Sequence, residues 1–313
     1  MSAPHPNPDG WLSWHVHVPF AAADRIDELV AGPLADLITT LRQAGAISRW
    51  FFIRYWEGGP HLRLRLRPAE RSSPAELDAA VRAAFAALDG SSNDPGDVAA
   101  YLDRISRLAR ASGRADPSVD RTVAGSVRPP GVHPADYVPE RDRYGSGELL
   151  DAAEAVFEVS SDLALRVARA APTATQLRLI GLEAITKLAD GVERLGGDRD
   201  AQLARYADYW RRWAESVVPP VFDTAALGDG AARLAAALAD RGGISAARLA
   251  ARDSAVGPWC AAAVDSLRPH PATGPGALTR SGVAISQTHM TLNRLGILVH
   301  EEFMLITTVR RLR

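Results

Sequence analysis

Between Trp50 and Arg67 the sequence WFFIRYWEGGPHLRLRLR places His61, Arg63 and Arg65 at every second position, with Leu62, Leu64 and Leu66 between them. In an extended strand this spacing sends the leucines to one face and the bases to the other. Guanidinium groups present paired N–H donors that match carboxylates, and imidazole can move a proton near neutral pH. A second stretch, WLSWHVHVP, alternates in the same way and contributes His15 and His17, while Arg54 lies on the strand before the bases. His15, His17, Arg54, His61, Arg63 and Arg65 are therefore assigned to the polar faces of three strands. If these strands are neighbours in register, they form one surface suited to binding carboxylates. The alternative is an open antiparallel sheet that shows a solvated charged face to water. His15 and His17 also have the spacing of a metal pair, but the sequence shows no third ligand and the nearby arginines would repel a cation, so no metal is expected.

Two further segments carry reactive side chains. Tyr137 to Gly145 (YVPERDRYG) lies where a loop gives way to a helix, so Arg143 and Tyr144 can project from a helix entrance while Glu140 caps or pairs. An ordinary helix start with local ion pairs reads the same way. Near the end, Ser286, His289 and Asn293 stand at i, i+3 and i+7 and share a helix face. His289 there suits general acid or base chemistry, or a satisfied interior histidine.

The elements that must position these groups are legible in the pattern. Glu57-Gly58-Gly59-Pro60 supplies a short reversal, so Trp50 to Trp56 and His61 to Arg67 pair as an antiparallel hairpin. After a Pro-rich start expected to be frayed, Trp11 to Pro19 is a strand. Asp24 to about Gln43 is a helix ended by Gly45, and Ser72-Ser73-Pro74 opens another that runs to Leu88. This gives a βαββα split sheet at the N-terminus. Asp97 to Ala111 reads as a helix, Ser112 to Ala135 as irregular connection, and the remainder as helices ending with one from about Arg280 to Arg311. The expected fold is α+β, with a largely helical C-terminal half covering the sheet. It is expected as a single domain over 1–313, with the sheet part at about 11–90 and the helical part at about 96–313.

Composition narrows the function classes. Lys+Arg 36 against Asp+Glu 37 gives a formal net charge of −1, so there is no global attraction to nucleic acid and any anion site must be local. The basic residues are almost all arginine, Lys187 being the one lysine. The single cysteine, Cys260, excludes an internal disulfide and fits a reducing cytoplasm. No signal segment or membrane span is apparent. Gly-rich phosphate loops and Gly-x-Ser-x-Gly are absent, so nucleotide and serine-hydrolase chemistry have no signature and no cofactor is expected.

Read together, WFFIRYWEGGPHLRLRL, YVPERDRYG with the Phe157-containing helix after it, and SQTHMTLNRLGI resemble the elimination domain found at the C-terminus of class I lanthipeptide dehydratases. The same domain occurs as stand-alone proteins in thiopeptide clusters, and the resemblance covers essentially the whole chain. It implies that a separate tRNA-dependent subunit glutamylates Ser or Thr of a precursor peptide, leader plus core. This chain would then expel glutamate to leave dehydroalanine or dehydrobutyrine, with no glutamylation domain attached. The family's functional positions fall on Arg63, Arg65, Arg143 and His289, with His15, His17, Arg54, His61, Tyr144, Ser286 and Asn293 as substrate-binding candidates. The segment between Arg65 and Arg143 is longer than the family minimum, and Ser146 stands where a second glycine is usual. Pyridine synthases, which join two dehydroalanines in a formal [4+2] aza-cycloaddition, are a second branch of the family. A noncatalytic subunit that binds the precursor peptide is a third reading. The expected partners include no nucleic acid or membrane, and a homodimer is left open.

Overall fold

The hairpin forms at the expected place. In the computed structural model, which describes residues 4–111, 127–216, 220–240, 255–272 and 278–312, strands β2 (Ile47–Tyr55) and β3 (His61–Pro68) pair antiparallel from Ile47 opposite Pro68 to Tyr55 opposite His61. Strand β1 (Leu12–His17) pairs along the other edge of β3, with His17 opposite His61 and His15 opposite Arg63. A fourth strand, β4 (Gly131–Pro134), pairs with β1 and completes the order β2-β3-β1-β4. These four residues fall within the stretch expected to be irregular connection. The strand is only four residues long and ends in proline, which breaks a central strand but is tolerated at an edge. Residues 112–126 of the same predicted connection lie outside the described residues.

The leucine face is packed as its pattern requires. Leu62, Leu64, Leu66, Trp14, Val16, Trp50 and Phe52 are all essentially buried. Trp14 also donates its indole N–H to Asp78 at 2.8 Å, tying the sheet to helix α3 (Pro74–Ala84). Ser73 caps that helix in a capping box with Glu76, and Pro74 takes the first helical position. The preceding helical segment is less regular than its periodicity implies. It runs as a 3-10 turn (Phe20–Arg25), α1 (Ile26–Leu29), a π turn (Val30–Leu34) and α2 (Ala35–Gln43). Pro33 has no N–H to give, and the wider turn accommodates it without ending the helix. The Pro-rich start is anchored from residue 4 onward, not frayed. The Asn7 side chain donates to the Tyr137 carbonyl at 3.2 Å and accepts from the Trp11 amide at 2.8 Å.

The chain divides into two compact units, the first formed by Met1–Val138 with Ala164–Ala170 and the second by Pro139–Leu163 with Ala171–Arg313. The first holds the sheet, α1 to α3 and α4 (Pro95–Ala111). The second is helical: α5 (Arg141–Tyr144), most of α6 (Glu148–Arg169), α7 (Ala174–Arg194), α8 (Arg199–Glu215), α9 (Thr224–Asp240), α10 (Gly257–Leu267), α11 (Arg280–Leu295) and α12 (Val299–Val309). The α+β expectation holds. Helix α7 packs against α10, α11 and α12, and a side chain at Gly181 would meet Ile297 at 2.8 Å, so the absent Cβ is what permits this approach. Residues 217–219, 241–254 and 273–277, within the stretch expected to be helical, lie outside the described residues. Among the described residues no helix is long and apolar enough to cross a membrane.

One boundary in the second unit matters for the site. The final helix is two helices, not one. Gly296 takes the left-handed conformation (φ 82°), with its own N–H bonded to the Asn293 carbonyl and that of Ile297 to the Leu292 carbonyl. This pairing terminates a helix and is readily adopted by glycine. The chain therefore reverses and α12 folds back along α11's neighbours.

Candidate functional site

Register decides which predicted residues share a surface. His61, Arg63 and Arg65 on β3 face the same way as His17, His15 and Ser13 opposite them on β1, and His133 joins from β4 opposite His15. Phe51, Ile53 and Tyr55 of β2 complete this face. Arg54 does not belong to it. It stands opposite Leu62 on the leucine face and forms an ion pair with Asp27 at 2.5 Å. The period of two puts Arg54 out of phase with Tyr55, Ile53 and the bases they oppose, so its assignment to the common basic surface is corrected.

This basic face is not an open, solvated one. His61 is fully buried, His17 is 2% exposed, Ser13 1% and Arg65 5%. The guanidinium of Arg65 sits 5.3 Å from the Tyr137 ring centre and 5.8 Å from that of Phe51. That of Arg63 lies 3.4 Å over the Tyr55 ring, and its Nε donates to His61 Nε2 at 3.2 Å. Since His61 Nδ1 contacts the Gly59 carbonyl at 2.8 Å, Nδ1 carries the hydrogen and Nε2 is the acceptor. Aromatic rings thus pack against both guanidinium groups, whose planar donor forks match the geometry of a carboxylate.

The three imidazoles stack, His61 lying 4.3 Å from His17 and 4.7 Å from His15 between ring centres, with interplanar angles of 23° and 29°. Their ligand atoms all fall within 4.8 Å of one another, so the third histidine missing from the sequence pattern is supplied by β3. His61 lies face to face with each of the other two rings, so its lone pair runs alongside theirs instead of toward a shared point, while His15 and His17 are tilted by 50° at 6.2 Å. Arg63 also occupies the lone pair of His61. The arrangement is a stack of neutral rings in a cationic setting. Burial is the main cause that holds His15 down at about 2, His17 at about 3 and His61 at about 4, with neighbouring histidines and arginines adding to it for His15 and His17. For His61 the Gly59 carbonyl partly offsets burial. Neither ring nitrogen of His17 has a hydrogen-bond partner among the described residues.

An acid-stability signature follows from these shifts. Above pH 6.5 the rings are neutral in both folded and unfolded chains and stability does not depend on them. Below it the unfolded chain binds protons that the folded rings refuse, so stability falls as pH drops. At pH 5, above the folded values of His17 and His61 (about 3 and about 4), each costs on the order of 2 kcal/mol. Denaturant unfolding at pH 7.5 and pH 5 should show this loss, and His17→Leu should reduce it. Equal stability at both pH values would refute the assignment of buried neutral rings.

In the second unit, α5 packs against α11, which brings the YVPERDRYG and SQTHMTLNRLGI segments together. Arg143 is about half exposed and pairs with Glu140 at 2.9 Å. Tyr144 is fully buried, its ring edge-on to Phe157 at 4.9 Å. Burial raises its hydroxyl well above the ordinary phenol range, and the Ser286 hydroxyl beside it partly offsets this. His289 keeps about a quarter of its side chain exposed and lies 5.0 Å from the Trp210 ring centre. Ser286 and Asn293 are partly buried on the same helix. Arg63 and Arg65 belong to the first unit, Arg143 and His289 to the second.

Sequence reasoning missed the group that contacts His289. Glu302 of α12 is fully buried, and its Oε2 lies 3.0 Å from His289 Nδ1. Its Oε1 accepts the Trp210 indole N–H at 2.7 Å and the Tyr206 hydroxyl. A carboxylate in the apolar segment EEFMLITTV was the available signal, since a buried acid needs partners. Arg294 is likewise fully buried, donating to the Met290 carbonyl at 3.1 Å and lying 5.1 Å over the Phe157 ring.

Residues 11–312 match the protein family described as lantibiotic biosynthesis dehydratase C-term. No curated protein matches the sequence significantly. Among solved structures, the chain is similar to the pyridine synthase TbtD from thiomuracin biosynthesis, with 18% identity, 96% of each chain covered and a TM-score of 0.65. It is also similar to TsrL, with 17% identity, coverage of 96% of this chain and 93% of that one, and a TM-score of 0.60. A third similarity, to the tRNA-dependent lantibiotic dehydratase MibB from Microbispora sp. 107891, has 22% identity and a TM-score of 0.51, and spans 99% of this chain but 28% of MibB. At these identities the likeness is one of fold.

Proposed function

The chain belongs to the lantibiotic biosynthesis dehydratase C-terminal family, and on that premise we propose that it eliminates glutamate from glutamylated Ser or Thr of a ribosomal precursor peptide. The observation that carries this reading is the burial of the basic sheet face. Arg65 is 5% exposed and Arg63 stands beside it on the same strand face, so their guanidinium charges act in a poorly screened setting suited to a carboxylate, and a departing glutamate is such an anion.

β-Elimination breaks the Cα–H bond and the Cβ–O bond, forms the Cα=Cβ double bond, and places the released electron pair on the glutamyl carboxylate. The chemistry asks for a base at Cα, stabilisation of negative charge on the adjacent carbonyl, and a cation for the leaving group. Arg63 and Arg65 are assigned to the glutamyl carboxylates, with His61 and the stack below it fixing Arg63. Arg143 is assigned to the peptide or to its enolate-like carbonyl, and His289 to the proton. No metal or redox partner is required by this balance of bonds. In this scheme a separate glutamylating subunit supplies the substrate.

A second reading, formation of a pyridine ring from two dehydroalanines, draws support from fold likeness to TbtD over 96% of both chains. Presence of Arg63, Arg65, Arg143 and His289 together favours elimination. The purified protein should be given two peptides, one glutamylated on Ser and one already dehydrated, with products read by mass spectrometry. Loss of glutamate from the first is expected. Ring formation from the second instead would replace the elimination reading, and binding without turnover of either would leave a noncatalytic peptide-binding subunit.

A further inference from the structure

The reversal at Gly296 places the fully buried carboxylate of Glu302 against His289, in company with Tyr206 and Trp210. The hydrogen positions in this group can be deduced one at a time. Trp210 Nε1 is only a donor. Burial and the Glu302 charge push the Tyr206 hydroxyl well above the ordinary phenol range, so Tyr206 stays protonated and donates as well. Both donate to Oε1 of Glu302, and His289 Nδ1 lies nearer to Oε2 (3.0 Å) than to Oε1 (3.3 Å). The ring nitrogen facing a carboxylate oxygen is the one that carries the hydrogen. Nδ1 of His289 is thereby committed, and Nε2 is left with the lone pair.

We infer that Glu302 is a positioning residue that fixes His289 as the Nδ1–H tautomer, presenting Nε2 as the proton-accepting atom, with Tyr206 and Trp210 holding the carboxylate's orientation. The inference rests on the elimination reading for its catalytic consequence, although the tautomer itself does not. Two fixed donors on Oε1 also prevent the carboxylate from turning, so the imidazole plane is set by groups that need never touch substrate. Trp210 bounds one side of the ring at 5.0 Å between centres and restricts it further.

Glu302→Gln separates this role from mere packing because it preserves shape. Tyr206 and Trp210 would still require an acceptor, so the amide oxygen takes their side and the amide NH2 faces His289. Nδ1 must then accept, and the hydrogen moves to Nε2. Nitrogen NMR on protein labelled with 15N-histidine reports the tautomer without any substrate. Expected results are Nδ1–H in the wild-type protein, Nε2–H in Glu302→Gln, and a fall in kcat for glutamate release on the order of 10²-fold with KM little changed, smaller than the loss on changing a triad aspartate to asparagine. Glu302→Asp should retain the wild-type tautomer and part of the rate. A wild-type spectrum showing Nε2–H overturns the inference, and that measurement does not depend on any variant folding. A tautomer change that leaves glutamate release unaltered overturns the catalytic part by removing His289 from proton transfer. Correct tautomers with no release activity in the wild type would instead count against the elimination reading while supporting the positioning of His289.

Discussion

Arg65→Ala is expected to slow glutamate release by about 10²- to 10³-fold, the scale on which loss of one aimed donor from a water-poor site acts. The expectation comes from where the side chain sits. Arg65 is 5% exposed and held near the rings of Phe51 and Tyr137, so its charge acts in a poorly screened environment. Glutamylated peptide should accumulate, visible by mass spectrometry. Arg65→Lys should recover little, because an ammonium cannot reproduce the planar fork and does not stack in the same way. Arg63→Ala should behave similarly, with the added loss of the hydrogen bond to His61 and the contact over Tyr55. Arg54→Ala is the informative contrast. Its partner is Asp27 on the opposite face, so turnover should be unchanged. Undiminished release by Arg63→Ala and Arg65→Ala would remove the carboxylate clamp, and folding of each variant is checked by circular dichroism.

His289→Ala should reduce kcat by about 10²- to 10⁴-fold, the range attributed to a positioned acid or base. The partly exposed ring has Nδ1 held by Glu302, which assigns Nε2 to the reacting proton. Added imidazole should restore part of the rate to His289→Ala if proton transfer is the missing step, because it supplies the same acid-base group without the side chain. His289→Asn should be as slow as alanine, since its amide neither accepts nor releases a proton at neutral pH. A variant with normal kcat and raised KM would assign His289 to binding instead. Tyr206→Phe removes one donor to Glu302 while leaving His289 in place, and its smaller loss would place it behind the histidine.

The sheet part was legible because its signals are local. Alternation of period two, Gly-Gly in the reversal, and a Ser-Pro helix start each specify geometry within a few residues, and all three elements formed where their residues required. The same local rule located His61, Arg63 and Arg65 on one face, together with His15 and His17. It failed for Arg54, where the phase of β2 against β3 depends on pairing across the turn. β4 escaped because four residues ending in proline carry almost no periodic signal, and their strand character comes from β1 beside them.

Sequence by itself determined the α+β class, the hairpin, the alternation that sorts bases from leucines, and the helix face that carries Ser286, His289 and Asn293. Tertiary structure decided the environment of those groups. Whether an alternating basic strand faces water or is buried cannot be read from the strand, since burial is set by segments elsewhere in the chain; here Arg65, His17 and His61 are covered. The histidine stack likewise exists only because β1 and β3 are paired in one register. Glu302 is the plainest case. Read as one continuous helix, residues 289 and 302 would lie about 20 Å apart along the axis. A left-handed glycine between them folds the chain back, and a carboxylate of the next helix becomes the direct partner of His289.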